Sequence, residues 1–241
     1  MPALFMPGVF ITGTDTEVGK TWVSAALIKG FAQQGYQIIA RKPVASGCIW
    51  VNEQLLSEDA LQLQQAVIAA GQTPPPLAQI CPYLFEPAIS PARAIAQSPN
   101  PQLQQLRLAQ LHQACLANHP EQLASKPNLL LVEGAGGFYS PITPDGLNAD
   151  LAQKLGLPIV LVVANRLGCL NQALLSLTAI AERNLPLQAI VLNDITPDAD
   201  AHNLSDLATL VSQYSPFPNT PIYHQAWQAE AQIIKPLVIN Y

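Results

Sequence analysis

Charge is scarce in this chain of 241 residues: Asp, Glu, Lys and Arg together make up 11%, well below the roughly 25% of ordinary soluble domains. Disordered chains are polar and charge-rich, so that class is excluded. Basic residues are the scarcer sign. The formal net charge is −5, which argues against a nucleic-acid binder or an anionic-membrane binder, since both need a basic surface. No long apolar run is present either. The longest, around Leu157 to Ala164, is far short of the ~18–20 residues of a membrane-crossing helix. Cys48, Cys81, Cys115 and Cys169 form no Cys-x-x-Cys pair and read as reduced thiols. Met1 to Phe10 lacks a Lys or Arg before its apolar residues and is broken by Pro2, Pro7 and Gly8. That is unlike a secretory leader, and a cytoplasmic protein is expected.

What the chain does have is 49% apolar residues, arranged as short β-type runs alternating with helical patterns. The strand candidates are Val9–Thr12, Gln37–Lys42, Leu129–Glu133, Ile159–Ala164 and Ala189–Asn193. Runs apolar on both faces suit parallel strands covered on both sides. Between them, Val23, Ala26, Leu27, Gly30 and Phe31 recur with helical period and Gly35 follows as a stop signal. Leu170, Leu174, Leu177 and Ala181 repeat the pattern. The expectation is one α/β domain spanning 1–241, a mostly parallel sheet with helices on both faces. The proline-rich stretches Thr73–Pro91 and Ser98–Pro101 read as long surface loops. Ligands of such sheets bind where strands end at their C-terminal edge, so the residues after each strand carry the functional reading.

After the first strand stands Gly13-Thr14-Asp15-Thr16-Glu17-Val18-Gly19-Lys20-Thr21, and a helix follows at once. This is a P-loop pattern. Its backbone N–H groups and helix N-terminus would face phosphate oxygens, Lys20 would reach the β and γ phosphates, and Thr21 would hold Mg²⁺. Five residues separate Gly13 from Gly19, where the common pattern has four. Glu17 is out of character in a phosphate cradle unless a cation lies beside it; a solvent-facing loop acid is the plainer alternative. Strand two delivers Lys42 into Pro43-Val44-Ala45-Ser46-Gly47, a second fixed cation or an ordinary exposed lysine. Strand three closes on Glu133, followed by Gly134, Ala135, Gly136 and Gly137. There an acid suits Mg²⁺, and the glycines permit close backbone approach. Asp59 opens a helix and reads as a cap. Asn165 to Asn171 opens another helix, whose N–H groups could receive a carboxylate. Asn193 closes strand five; its amide could read an adenine edge or simply make a turn. Asp198-Ala199-Asp200 only imitates a calcium loop. His112, His119, His202 and His224 lack metal-ligand spacing, Trp22, Trp50 and Trp227 form no base-stacking array, and all are taken as structural.

The run from Phe10 to Thr21, together with Lys42-Pro43-Val44-Ala45-Ser46-Gly47 and Val132-Glu133-Gly134-Ala135-Gly136-Gly137, resembles the dethiobiotin synthetase family. The likeness continues through Glu58-Asp59-Ala60-Leu61, Pro82-Tyr83-Leu84-Phe85, Leu167-Gly168-Cys169-Leu170-Asn171 and Leu192-Asn193-Asp194, and the extra P-loop residue is a family feature. It implies a P-loop NTPase-like fold and an ATP-dependent ring closure in biotin biosynthesis. In that reaction 7,8-diaminopelargonate and CO₂ form a carbamate, ATP phosphorylates it, and the second amine displaces phosphate to give dethiobiotin.

The resemblance further implies an ATP cradle of Gly13, Thr14, Asp15, Thr16, Glu17, Val18, Gly19, Lys20 and Thr21, extended by Asp59, Glu133 and Asn193. Lys20, Lys42, Thr16 and Glu17 are the expected catalytic group, with Thr21, Asp59 and Glu133 around Mg²⁺. Ser46 and Gly134 to Gly137 would line the diamine site. Gly168, Cys169, Leu170 and Asn171 would receive the substrate carboxylate across the interface of a homodimer. Small molecules, not nucleic acid or membrane, are the expected partners. The family's Gly-x-Ile-Pro-Trp-type segment is replaced here by Pro221-Ile222-Tyr223-His224. The alternative is a partition-type P-loop ATPase acting as a nucleotide switch. Such proteins carry a second lysine early in the loop, where this chain has Thr14.

Overall fold

The computed structural model of the chain describes residues 7–117 and 126–228; His119 and most of the Met1 to Phe10 stretch lie outside them. Its first half runs β1 (Gly8–Gly13), α1 (Lys20–Gln33), β2 (Gln37–Arg41), β3 (Val44–Ser46), β4 (Ile49–Val51), β5 (Gln54–Leu56), α2 (Glu58–Ala69), α3 (Leu77–Ile80) and β6 (Tyr83–Phe85). It continues with α4 (Pro91–Ala96), α5 (Pro101–Gln104), α6 (Leu108–Leu116), β7 (Asn128–Gly137), β8 (Pro141–Thr143), β9 (Gly146–Leu147) and α7 (Asn148–Leu155). Then come β10 (Ile159–Ala164), α8 (Cys169–Glu182), β11 (Leu187–Asn193), α9 (Asn203–Tyr214) and β12 (Ile222–Gln225).

Six strands form one sheet in the order β12-β11-β10-β1-β7-β2, and every neighbouring pair is parallel. The five expected strands are all present. The sixth, β12, occupies the divergent Pro221-Ile222-Tyr223-His224 segment; it is too short and too polar to announce itself by periodicity. Strand alternation divides the apolar residues between two layers. Phe10, Leu130, Val132, Leu161, Val163 and Leu192 pack under α7, α8 and α9. Val9, Ile11, Leu129, Leu131, Val162 and Val191 pack under α1 and α2. Continuous apolar strands are therefore required by burial on both faces, not by a preference of any one residue. After β1 the chain winds to one side as β2 and β7, then crosses to the other as β10. Crevices form where winding reverses, and that point is the end of β1.

Three sequence expectations need correction. Thr73–Pro91 is not a surface loop throughout. It contains α3 and β6, buries Ile80, Cys81 and Phe85, and runs β6 parallel to β3; the Ile80 carbonyl accepts the Lys42 N–H at 2.7 Å. Ser98–Pro101 is the expected surface loop, exposed at Pro99, Asn100 and Pro101 and leading into α5. Asp59 is not the cap of α2, because Ser57 takes that place and accepts the Ala60 N–H. Glu133 lies inside β7, which continues to Gly137 past an irregularity against β1. Trp22, Trp50 and Trp227 are exposed at 44%, 59% and 41%. Trp50 belongs to a β4–β5 hairpin closed by Asn52 and Glu53, both at positive φ, as a two-residue type I′ turn requires. The four cysteines are free and buried. Among the described residues, no helix is long and apolar enough to cross a membrane.

Candidate active site

The loop after β1 is held from several sides. Thr14 N–H donates to the Val162 carbonyl at 3.0 Å, and Asp15 accepts the Thr16 N–H at 2.7 Å while pairing with Arg166 at 3.3 Å. Glu17 adopts φ 56, a left-handed conformation that a residue with a side chain takes only when its surroundings enforce it. Gly19, at φ +86, caps α1; a Cβ there would lie 2.1 Å from Nδ2 of Asn193, so only glycine fits. That amide donates to the Val18 carbonyl at 3.1 Å. Asn193, from the far end of β11, is thereby locked against the loop.

Lys20 turns back over the loop, its Nζ donating to the Asp15 carbonyl at 3.0 Å. Burial pushes its ammonium down to about 8, and the neighbouring Lys42 charge adds to the effect. Lys42 lies just beyond β2 and is buried. Its Nζ is 2.7 Å from Asp59 Oδ2 and 2.7 Å from Glu133 Oε1, and donates to the Gly134 carbonyl at 3.1 Å. Burial opposes its charge, but the two carboxylates outweigh burial and raise its pKa. The Lys42 charge in turn holds the Asp59 carboxyl below its ordinary range. Thr21 Oγ1 lies 2.9 Å from both Asp59 Oδ1 and Glu133 Oε1. Two lysines thus share two acids. Lys42 holds both acids, while the Lys20 ammonium donates to a carbonyl and has Glu133, Asp59 and Asp15 as neighbouring countercharges. A phosphate oxygen in place of that carbonyl would give the Lys20 ammonium a charged acceptor.

Thr21, Asp59 and Glu133, from α1, α2 and β7, offer hard oxygen donors of the kind Mg²⁺ takes. No cluster of three or more His, Cys, Asp or Glu is present among the described residues. A metal here would therefore complete its shell with phosphate oxygens and water, as magnesium does in nucleotide sites. The donor set fits.

Sequence reading missed two residues. Ser24 Oγ donates to Glu133 Oε2 at 2.7 Å, giving the buried acid its second oxygen's partner; Thr21 and Ser24 are three apart, so one helix face carries both. Asn148 clamps the glycine turn, with Nδ2 donating to Ala135 O at 2.6 Å and Gly137 O at 2.8 Å, and Oδ1 accepting the Ala135 N–H at 3.2 Å. The Thr21–Ser24 spacing was a usable signal. Nothing local marks Asn148.

Gly136 and Gly137 lie against the P-loop, as added Cβ atoms would meet Thr16 Cγ2 at 3.7 Å and Thr14 O at 3.3 Å. Ser46 is half-buried at the end of β3. The Gly168 to Asn171 turn is arranged differently. Cys169 is buried beneath it, Gly168 and Asn171 are exposed, and Leu167 stands at 102% exposure. Within the turn the Cys169 N–H donates to the Arg166 carbonyl at 3.0 Å.

The profile of the AAA domain family matches residues 7–219. The ATP-dependent dethiobiotin synthetase of Pseudomonas paraeruginosa is 42% identical over 210 residues, 86% of this chain and 86% of that one. The corresponding protein of Aromatoleum aromaticum is 38% identical over 188 residues, 78% of each. Dethiobiotin synthetase 1 of Salmonella typhi is 38% identical over 201 residues, 83% of this chain and 82% of that one. A solved ParA family ATPase from Chlorobium tepidum TLS superposes with a TM-score of 0.48 at 14% identity, over 93% of this chain and 85% of that one. That likeness is too loose to bear on function. Identity near 40% across most of both partners is kinship, and the chain belongs to the family of the ATP-dependent dethiobiotin synthetases.

Proposed function

We propose that this protein catalyses the ATP-dependent closure of a diamino acid, 7,8-diaminopelargonate, with CO₂ to dethiobiotin, ADP and phosphate. One amine captures CO₂ as a carbamate. The γ-phosphoryl group of ATP passes to a carbamate oxygen, giving a carbamic-phosphoric anhydride and ADP. The second amine attacks the carbonyl carbon, the C–O bond to phosphate breaks, and the ureido ring closes. A carbamate oxygen is a poor leaving group until it carries phosphate, which is why ATP is spent. Phosphoryl transfer asks the protein mainly for position and charge neutralisation.

The observation that carries this reading is the gathering of Lys20, Lys42, Thr21, Asp59 and Glu133 at the end of β1. Lys20 leaves the Asp15 carbonyl for the β and γ phosphates. Lys42, beside the Gly134 carbonyl, spans from the γ phosphate to the carbamate. Thr16 lies by the phosphates, and Glu17 stands where the amine approaches. Gly13 to Thr21 present N–H groups to the triphosphate, while the Asn193 amide, already docked on Val18, reads adenine. Magnesium held by Thr21, Asp59 and Glu133 supplies charge neutralisation to the phosphates. Ser46 with Gly134, Ala135, Gly136 and Gly137 lines the diamine site. The exposed turn of Gly168, Cys169, Leu170 and Asn171 takes the substrate carboxylate of a partner in a cytoplasmic homodimer.

The test is incubation with ATP, magnesium, bicarbonate and the diamine, followed by mass detection of the ring product. Phosphate release should need both diamine and bicarbonate; brisk ATP turnover without either refutes the ligase and favours a nucleotide switch.

A further inference from the structure

Hydroxyl groups on the long helices are used in two ways. In α8 and α9, Ser176, Thr178 and Thr209 donate to the carbonyl four residues back, at 2.8, 3.0 and 3.0 Å, the local partner open to any helical hydroxyl. In α1, Thr21 and Ser24 instead reach across to Glu133 of β7, 112 and 109 positions away. Ser24 and Glu133 are both 0% exposed, and a carboxylate so placed needs a donor at each oxygen. The donors are unevenly shared. Oε1 faces Thr21 Oγ1 at 2.9 Å and Lys42 Nζ at 2.7 Å, whereas Oε2 has Ser24 Oγ at 2.7 Å.

With Oε2 anchored on α1, the carboxylate is held against rotation about its last bond. Oε1 is thereby kept on the side where Thr21 Oγ1 also meets Asp59 Oδ1, at 2.9 Å. Those three oxygens are the donor set that suits magnesium. We infer that Ser24 is a positioning residue for the metal: acting through Glu133, it turns one carboxylate oxygen toward the oxygens of Thr21 and Asp59. Partners that orient a metal-binding carboxylate in this way typically change metal affinity by about 10–100-fold. The inference rests on the nucleotide and magnesium reading proposed above.

The experiment measures, by titration calorimetry on the full-length protein, the affinity for the β,γ-imido analogue of ATP in excess magnesium and in excess chelator. The ratio of the two affinities isolates the metal, because magnesium binding to the free analogue is common to all variants and cancels between them. Wild type should bind more tightly with magnesium. Ser24→Ala should lower the ratio by about tenfold, the low end of the range because Thr21 and Lys42 still hold Oε1, and should keep its affinity in chelator. Ser24→Cys fills the same space with a weak donor and should move the ratio the same way, so the test does not hang on one variant folding. A serine that merely supports the fold would weaken binding equally in both buffers. An unchanged ratio in the folded variants therefore overturns the inference while leaving the ligase reading intact. A wild type indifferent to magnesium overturns the metal assignment with it, and one that does not bind the analogue overturns the nucleotide reading as well.

Discussion

Replacing Lys42 by Met removes the cation between two acids while nearly preserving side-chain length. Glu133 is 0% exposed and Lys42 2%, so in the free protein the variant leaves a buried carboxylate without its countercharge. Breaking such a pair costs about 3–5 kcal/mol. The lower end applies, because Thr21 and Ser24 still donate to Glu133 and Asp59 is 43% exposed at its side chain, where solvent screens it. A loss of about 3 kcal/mol in a domain of this size lowers the melting temperature by roughly 6–12 °C. Thermal unfolding in a chelator-containing buffer reads this directly. Millimolar magnesium should then raise the melting temperature of the variant more than that of the wild type, because the acids have lost their resident cation. Turnover should fall by orders of magnitude. A variant melting within 2 °C of wild type (well inside the roughly 6–12 °C expected), with the same response to magnesium, would refute the view that Lys42 neutralises the acidic pair.

Gly19→Ala should fold poorly and lose nucleotide binding, since the new Cβ would meet the Asn193 amide and the backbone is left-handed there. A melting curve and nucleotide titration matching wild type would show that Asn193 does not brace the loop. Mixing a Lys20→Ala protein with a Gly168→Pro protein, each inactive alone, should restore part of the activity, because mixed dimers contain one intact shared site. No recovery despite demonstrated subunit exchange would contradict the shared site.

The alternation of apolar runs with helical period was enough to specify a parallel sheet wrapped on both faces, because a strand buried on both sides must be apolar throughout and its crossover must be helical. The β1–loop–α1 unit was equally legible: Gly19, Lys20 and Thr21 are adjacent, and phosphate recognition there uses the local backbone. Distance along the chain hid the rest. Whether Lys42 was a solvent-facing lysine or a buried one depended on Asp59 and Glu133 arriving from α2 and β7. Whether Asn193 made a turn or a brace depended on Gly19 lacking a side chain 174 positions away in the chain. The Thr73–Pro91 stretch looked like loop because prolines dominate its composition, while its burial is decided by the sheet it covers. Ser24 and Asn148 gained their roles only from partners that folding brought within hydrogen-bond reach. Local sequence decides backbone conformation through short-range sterics and periodicity; the pairing of charges is long-range in sequence, and only the assembled tertiary structure decides it.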